Sequence, residues 1–556
     1  MKKLLELLDK ISGRGYKAYK EIKGKYQYDN FTLYVDHVQA DPFAPPSAVR
    51  VRVPQDNSRF PQDLFRTRVR KVALEDHLTR VFWQKTRKSS HIVGSGKSGI
   101  IEINRPSQQV LERTAMEIND DYVEARFYVG LPARGRKIAG SEAKRMFSTE
   151  VPQIVESSLF YASLDHQEVK DHVEVMEDAD YIRNNLQERG LVAFVANGSI
   201  LPRKSGVDER PLPDGLPFQS PPSLDVVFEC PNRKISGMGI PQGVTLIIGG
   251  GYHGKSTLLD ALSLGIYDHV PGDGREFVIT AEDGVKIRAE DGRFIRDVDI
   301  SSLLSNLPGG KDTSKFRTDN ASGSTSQAAN IMEALELSSK LLLIDEDTSA
   351  TNLLIRDHKV QKIVTRDKEP IIPLFDLIKP LKEKGVSIIL IMGSLGDYFS
   401  MADTVVFMDN YRPRDVTQQA KEVVGDDTLT SDESRSISYK QRTPDPGAID
   451  PTRKGKPRIK ARGVGGLEFG KNNVDFSRVE QIVEPGQVKA IGELINQNKG
   501  KFNNKTLKEV LDDVDQQLEK EGLLSLLPPR GDFVKPRKFE VAAALNRLES
   551  LKCDLN

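Results

Sequence analysis

Val244-Thr245-Leu246-Ile247-Ile248-Gly249-Gly250-Gly251-Tyr252-His253-Gly254-Lys255-Ser256-Thr257-Leu258-Leu259-Asp260-Ala261-Leu262 reads as three pieces in sequence. The first is a short unbroken apolar run, the pattern of a strand buried on both faces. The last has the apolar spacing of a helix. Between them stands G-x-x-x-x-G-K-S, and strand, loop and helix in that order are the context a phosphate-binding loop requires. Glycines let consecutive backbone N–H groups turn inward around an anion. The helix start adds its partial positive charge. The residues expected around the phosphates are Gly249, Gly250, Gly251, Tyr252, His253, Gly254, Lys255, Ser256 and Thr257. Lys255 is expected to reach the β- and γ-phosphates and Ser256 to ligate Mg²⁺.

Working outward, Leu341-Leu342-Leu343-Ile344-Asp345-Glu346 is a second apolar strand that ends in an acid pair. In open α/β sheets ligands bind at that carboxyl edge. Asp345 is expected to hold Mg²⁺, directly or through water, and Glu346 to orient or deprotonate an attacking water. Between the two motifs, Ala321-Ser322-Gly323-Ser324-Thr325-Ser326-Gln327 leads into an apolar helix. Alone it would be a helix cap. Preceded by a phosphate loop and followed by apolar-Asp-Glu, Ser322, Gly323 and Ser324 become a second anion contact. The three motifs together point to ATP hydrolysis.

The order of these motifs is that of ATP-binding-cassette ATPases, and Ser349-Ala350-Thr351-Asn352 resembles their D-loop. With Asp41 to Ser47, Gly130 to Arg136, Gly272 to Glu276 and Ala542 to Leu548, the chain resembles over nearly its whole length the family called predicted ATPases of the ABC class. The resemblance implies an α/β fold with an ABC-type core, a family-specific N-terminal α/β domain and a small, mainly helical C-terminal domain. It implies a homodimer with ATP sandwiched between subunits, Ser322, Gly323 and Ser324 of one facing the phosphate loop of the other. The expected divisions are 1–180, the N-terminal domain; 181–440, the ATPase core; 441–470, a basic linker; and 471–556, the C-terminal domain.

Some positions depart from the cassette pattern. Where transporter cassettes carry a histidine after the strand Val386 to Met392, this chain has Ser394. Serine donates a hydrogen bond but carries no charge, which predicts slow turnover. The usual Q-loop glutamine is replaced by no evident residue; Asn306 is the nearest candidate. The D-loop ends in Asn352 rather than aspartate, and His253 is expected to face outward.

Composition narrows the setting. The chain has 556 residues, 29% charged and 38% hydrophobic, with 80 Lys+Arg against 80 Asp+Glu, which excludes a collagen, a wholly disordered chain and a disulfide scaffold. Its two cysteines are Cys230 and Cys553. No apolar run reaches the roughly 18 residues a membrane helix needs. Leu4, Leu5, Leu8 and Ile11 repeat at helical spacing, so the start reads as a docking helix rather than a signal peptide. A cytoplasmic protein with no membrane partner is expected.

Zero net charge hides a segregation. Residues 1–100 hold 20 Lys+Arg and 10 Asp+Glu, whereas 151–230 hold 6 and 14. Arg50 and Arg52 fall on one face of a strand. Arg134, Arg136 and Lys137 sit in a glycine-containing loop, and 453–462 is basic throughout. Tyr16 and Tyr19 lie among Arg14, Lys17 and Lys20, which suits stacking beside phosphates or, equally, core packing. These features favour a nucleic-acid partner moved by ATP-driven closure. The resembled family includes an accessory factor of kinetoplastid RNA editing, which favours RNA. The alternatives are a remodelling or assembly factor acting on protein, and a chromosome- or repair-type ATPase; the absence of a long coiled-coil insertion counts against the last. A second Gly-Lys-Ser, in Gly94-Ser95-Gly96-Lys97-Ser98, has neither an apolar strand before it nor a helix pattern after it, and is not expected to bind nucleotide.

Overall fold

The structure is a computed structural model that describes residues 1–89, 93–307, 309–355, 369–393, 396–424 and 435–555. The chain forms two compact units, 1–177 with 521–535, and 178–520 with 536–556.

The first unit is built on an antiparallel sheet in which Gly24–Gln27, Thr32–His37, Ser47–Pro54 and Tyr122–Val129 are successive neighbours. Alternation explains the long strand Ser47–Pro54, which buries Val49, Val51 and Val53 on one face and turns Arg50 and Arg52 to the other. The helix Arg68–Ser89 and the helix Val151–Ser158 cover the apolar face. The first helix, Lys2–Ile11, buries Leu4, Leu8 and Ile11 and packs on the helix Gly140–Arg145. Residues 521–535 join this unit through backbone bonds such as Thr114 N–H to Phe533 C=O.

The second unit carries the six-stranded core sheet. Its strands are β1 (Val244–Ile248), β2 (Gly284–Ile287), β3 (Leu341–Asp345), β4 (Ser387–Met392), β5 (Thr404–Asp409) and β6 (Arg412–Asp415), in the spatial order β2-β3-β4-β1-β5-β6. All neighbours are parallel except β5 and β6, which form an antiparallel hairpin. Leu246, Leu342, Ile344 and Leu390 point into one core; Ile247, Leu343, Ile391 and Val406 point into the other. Burial on both faces is why these strands read as unbroken apolar runs. A four-stranded antiparallel sheet, Asp225–Glu229, Lys234–Pro241, Leu191–Ala196 and Val278–Thr280, belongs to the same unit.

The segment expected as a linker, 441–470, is folded. Arg442 is buried and paired with Glu336, with Nη2 2.6 Å from Oε2. Ile459–Ala461, Gly466–Phe469 and Asn472–Asp475 form a three-stranded sheet. Arg458 and Arg462 both close on the buried carboxylate of Glu468. Two of the basic residues there are thus paired within the fold, while Arg453, Lys454, Lys456 and Lys460 are exposed. The helices Pro485–Asn498, Leu507–Glu521 and Lys538–Asn546 follow. Val541, Leu545, Leu548 and Leu551 are buried as their spacing predicts, although the last helix ends at Asn546.

Candidate functional site

The carboxyl ends of β3, β4, β1 and β5 lie level. Asp345 stands opposite Ile391, and Ile248 opposite both Met392 and Phe407. Whatever follows these strands meets at one edge.

After β1 the chain runs through Gly249 to Gly254 into the helix α1 (Lys255–Leu264). Gly249 and Gly254 have φ of 146° and 93°, and Tyr252 shares the left-handed region at 63°. A Cβ on Gly249 would lie 2.5 Å from the Met408 carbonyl oxygen, so glycine is required there sterically as well. Among the described residues, no backbone amide from Gly250 to Thr257 has a hydrogen-bond partner. A run of unpaired amides in a glycine-rich loop at a helix start suits an anion. Lys255 Nζ lies on the same loop, 2.6 Å from the Gly249 carbonyl oxygen and 2.8 Å from that of Gly250. The Ser256 side of the loop is exposed.

Asp345 ends β3 and is buried. Its Oδ1 accepts from Asp347 N–H at 3.1 Å, and Oδ2 has no partner among the described residues. Burial, with the charge of Asp347 beside it, pushes the Asp345 carboxyl above the ordinary range. Glu346 turns toward β4, where Oε2 accepts from Gly393 N–H at 2.5 Å. The Ser394 position, next along, lies outside the described residues.

Ser322 caps α2 (Gly323–Glu336), and its hydroxyl lies 2.9 Å from Thr325 Oγ1 and 3.4 Å from Ser324 Oγ. Sequence reasoning missed Gln327, the buried residue that ties this helix to the acid pair. Its Nε2 donates to Ser349 Oγ at 2.9 Å and its Oε1 accepts from Ala350 N–H at 2.7 Å. Ser349 Oγ in turn donates to the Asp345 carbonyl at 2.7 Å. A glutamine one turn into a helix gives no sequence signal of such a role; only the fold brings Ser349 to it. Asn306, the Q-loop candidate, follows a bridge between Leu304 and Ile371 and has a φ of 53°. The residues that leave the sheet beside Asp345 are those after β2, starting at Arg288, which pairs with Glu480. Behind them, Glu290 N–H donates to Ser326 Oγ at 2.8 Å.

His253 does not face outward. Its Nδ1 accepts from Asn410 N–H at 3.0 Å, and its carbonyl accepts from Tyr411 N–H at 3.1 Å, so it is turned onto the β5–β6 hairpin.

The nucleic-acid candidates in the first unit divide. Tyr16 and Tyr19 are buried, their hydroxyls donating to the Leu131 and Pro132 carbonyls at 3.0 and 2.6 Å, so packing and not base stacking is their role. Arg50 and Arg52 share a strand face as predicted, but both donate to Glu124 Oε2 at 2.9 Å, and this carboxylate is 1% exposed. Arg50 also stacks on Tyr34 and Arg52 on Tyr122, each 3.8 Å from the ring centroid. Their charge is neutralised within the fold, and they are not free phosphate contacts. Arg134, Arg136 and Lys137 are exposed on the hairpin of Ala133–Arg134 and Lys137–Ile138, with no ion-pair partner among the described residues. Backbone bonds from Tyr16 N–H to Arg136 C=O, and from Ile138 N–H to Arg14 C=O, bring the 14–20 segment alongside. Lys17 and Lys20 are exposed there; Arg14 pairs with Glu21 at 2.9 Å.

No helix among the described residues is long and apolar enough to cross a membrane. No group of three or more His, Cys, Asp or Glu among them is arranged to hold a metal ion.

The family model for the P-loop domain of ABC ATPases matches residues 165–443, that for the N-terminal region of ATPases of the ABC class matches 1–162, and that for the MRB1590 C-terminal domain matches 458–554. The chain is 33% identical over 251 residues to uncharacterized protein MJ1628 of Methanocaldococcus jannaschii, covering 42% of this chain and 54% of that protein. It is 29% identical over 173 residues to the ribose import ATP-binding protein RbsA 2 of Rhizobium meliloti, covering 31% and 28%. The matches therefore span about half of the first relative and less of the second. Among solved structures, the ATP-binding cassette MJ1267 of an ABC transporter in its ADP conformation is 16% identical, over 36% of this chain and 92% of that one, at a TM-score of 0.24. The cbiO1 protein of Clostridium perfringens, part of the ABC transporter complex cbiONQ, is 18% identical over 43% and 92%, at a TM-score of 0.26.

Proposed function

The chain belongs to the P-loop ATPases of the ABC class, and from that premise we propose that it binds ATP with Mg²⁺ at Gly249–Thr257, hydrolyses it, and couples the cycle of a homodimer to nucleic acid, RNA in particular. The observation that carries the ATP reading is the run of unpaired amides from Gly250 to Thr257, on the same sheet edge as Asp345 and Glu346. The amides and Lys255 hold the phosphate chain. Ser256 and the free Oδ2 of Asp345 are the hard oxygen donors that Mg²⁺ takes in ones and twos beside phosphate oxygens. When bound, the ion neutralises charge developing on the phosphates. The Gly393 amide fixes the Glu346 carboxylate, which orients the attacking water and accepts its proton.

Two copies are part of the reading because one chain does not complete the site. Ser322, Gly323 and Ser324 serve the phosphate loop of the second copy, and Gln327 and Ser349 link that contact to Asp345 within their own copy. Ser394 stands where a charged donor would accelerate the step, so turnover is slow. Single-turnover hydrolysis by Ser394→His should be faster than wild type, and equal rates would sink the role of Ser394.

The RNA reading rests on the exposed cations Arg134, Arg136, Lys137, Lys17 and Lys20 and on the match to the MRB1590 C-terminal domain. The test is binding of Glu346→Gln protein to single-stranded RNA, duplex RNA and single-stranded DNA across a salt series, with and without Mg-ATP. ATP-dependent RNA binding that weakens steeply with salt is expected. Binding no tighter than the roughly 10⁻⁴–10⁻⁶ M of nonspecific contacts would remove nucleic acid and make a protein partner the substrate.

A further inference from the structure

We propose that Arg547 is a positioning residue for hydrolysis in the second copy: through Glu290 and Ser326 it sets where Ser322, Gly323 and Ser324 stand. This rests on the reading of the site as shared between two copies. Arg547 follows the last helix, Lys538–Asn546, far in sequence from every motif of the site. It is buried. Its Nη2 donates to Glu290 Oε1 at 2.5 Å, and its Nη1 to the Ala543 carbonyl of the helix it follows at 3.0 Å. Burial would raise the Glu290 carboxyl, but the charges of Arg547 and Arg293 outweigh it and hold the group below its ordinary range, so it stays ionised.

From Glu290 the bonds lead to the start of α2. Its N–H donates to Ser326 Oγ at 2.8 Å, and that hydroxyl donates to the Gly323 carbonyl at 2.9 Å. Its carboxylate also accepts from Asn330 Nδ2 at 2.9 Å, one turn further along the same helix. The residues after Glu290 close on the chain just before α2. Gly292 N–H donates to the Ala321 carbonyl at 2.8 Å, and Ala321 N–H to the Arg293 carbonyl at 3.0 Å. A Cβ on Gly323 would lie 3.3 Å from Asp291 Oδ1 and 3.5 Å from Ala289 Cβ, so this loop packs against the glycine itself.

Packing does not fix the loop by itself. Arg288 to Phe294 border a cavity of about 620 Å³, which Asp347, Ser349 and Arg478 also line. Without Arg547, Glu290 would be a buried carboxylate with no ion pair among the described residues. Such a group turns toward water or takes up a proton, and the bonds to Ser326 and Gly323 shift with it. A contact displaced by about 1 Å can cost about 10²-fold in rate.

The test uses the two-copy geometry. An Arg547→Gln chain keeps its own phosphate loop, Asp345 and Glu346, and spoils only what it offers to the other copy. It is co-expressed with Glu346→Gln under two different tags. Single-turnover hydrolysis of Mg-ATP is then measured on the doubly purified heterodimer and on each homodimer. The Arg547→Gln homodimer should be slower than wild type by about 10- to 10²-fold. The heterodimer should recover the rate of wild type paired with Glu346→Gln, because its one competent phosphate loop meets an intact Ser322–Ser324. A fold merely weakened by the substitution would not be repaired by its partner. Glu290→Gln breaks the same ion pair from the other end without a change of volume and should behave alike, so poor folding of one variant leaves the other to decide. An Arg547→Gln homodimer as fast as wild type, or a heterodimer as slow as that homodimer, overturns the proposal. A wild type that hydrolyses no ATP, or does so as a monomer, overturns the shared site itself, a different failure.

Discussion

Two stretches of this chain end in Gly-Lys-Ser, and they use their backbone donors in opposite ways. In Gly94-Ser95-Gly96-Lys97-Ser98 the Ser95, Lys97 and Ser98 amides are bonded inside the fold. Ser95 N–H bonds the Ala133 carbonyl, Lys97 N–H that of Pro42 and Gly99 N–H that of Gly130. The Ser98 hydroxyl is buried, accepting from Ala133 N–H and donating to the Ser95 carbonyl. This loop is a wedge that locks two neighbouring loops together. From Gly250 to Thr257 none of the amides is used internally among the described residues. The letters are alike; what differs is the apolar strand in front and the helix behind. Those flanks hold the second loop open at a sheet edge and leave its donors for an anion.

The largest effect that would break this contrast is on hydrolysis. Lys255→Ala and Glu346→Gln should each lower phosphate release by about 10²–10⁴-fold, the first by losing ATP binding and the second while retaining it. Lys97→Ala should stay within about twofold of wild type, since the Ser95, Lys97 and Ser98 amides of its loop are already bonded within the fold. A Lys97 variant as dead as Lys255→Ala would abolish the distinction.

Stability should divide the loops in the reverse sense. A Cβ on Gly130 would sit 1.7 Å from the Lys97 carbonyl oxygen, a backbone atom that cannot swing away. Gly130→Ala should therefore cost about 3 kcal/mol through forced backbone shifts. Gly251 has open space where a Cβ would go and no positive φ, so Gly251→Ala should change stability by less than about 0.5 kcal/mol. Denaturant midpoints for the two variants measure the difference; equal midpoints would mean that the first loop is not the wedge its contacts make it.

The same contrast explains what could be read from sequence. The core was legible because β1, β3 and β4 are buried on both faces and are therefore almost wholly apolar. The phosphate loop and the acid pair were legible because local flanks decide them. Gln327 was not, because its partners Ser349 and Ala350 reach it only through the sheet. The basic run 453–462 shows a related limit. It looks solvated, yet Glu468 just beyond it is buried and pairs Arg458 and Arg462. Charge in sequence gives the number of cations, and only the fold gives how many remain unpaired.

That rule makes a prediction for the first unit. The exposed hairpin and the strand face carry the same residue types, but only the hairpin cations are unpaired. Neutralising Arg134, Arg136 and Lys137 together should lower the salt dependence of RNA binding by about 2 in log–log slope, at about 0.7 per phosphate contact on a single strand. An unchanged slope would place the RNA contact elsewhere on the molecule.

The smallest effect separates charge from availability most sharply. Glu124 is buried and takes three guanidinium groups, from Arg50, Arg52 and Arg126. Removing one of them, in Arg52→Gln, leaves the carboxylate two charge partners but strips a charge-assisted hydrogen bond and the stacking on Tyr122. The expected cost is about 1–2 kcal/mol of stability. The salt slope of RNA binding should not move, because Arg52 neutralises Glu124 and no phosphate. The outcome that would sink this assignment is a slope lower by about one contact with stability intact. Arg52 would then be a surface cation after all, and the Glu124 cluster would not be the reason the strand face is closed to an anion.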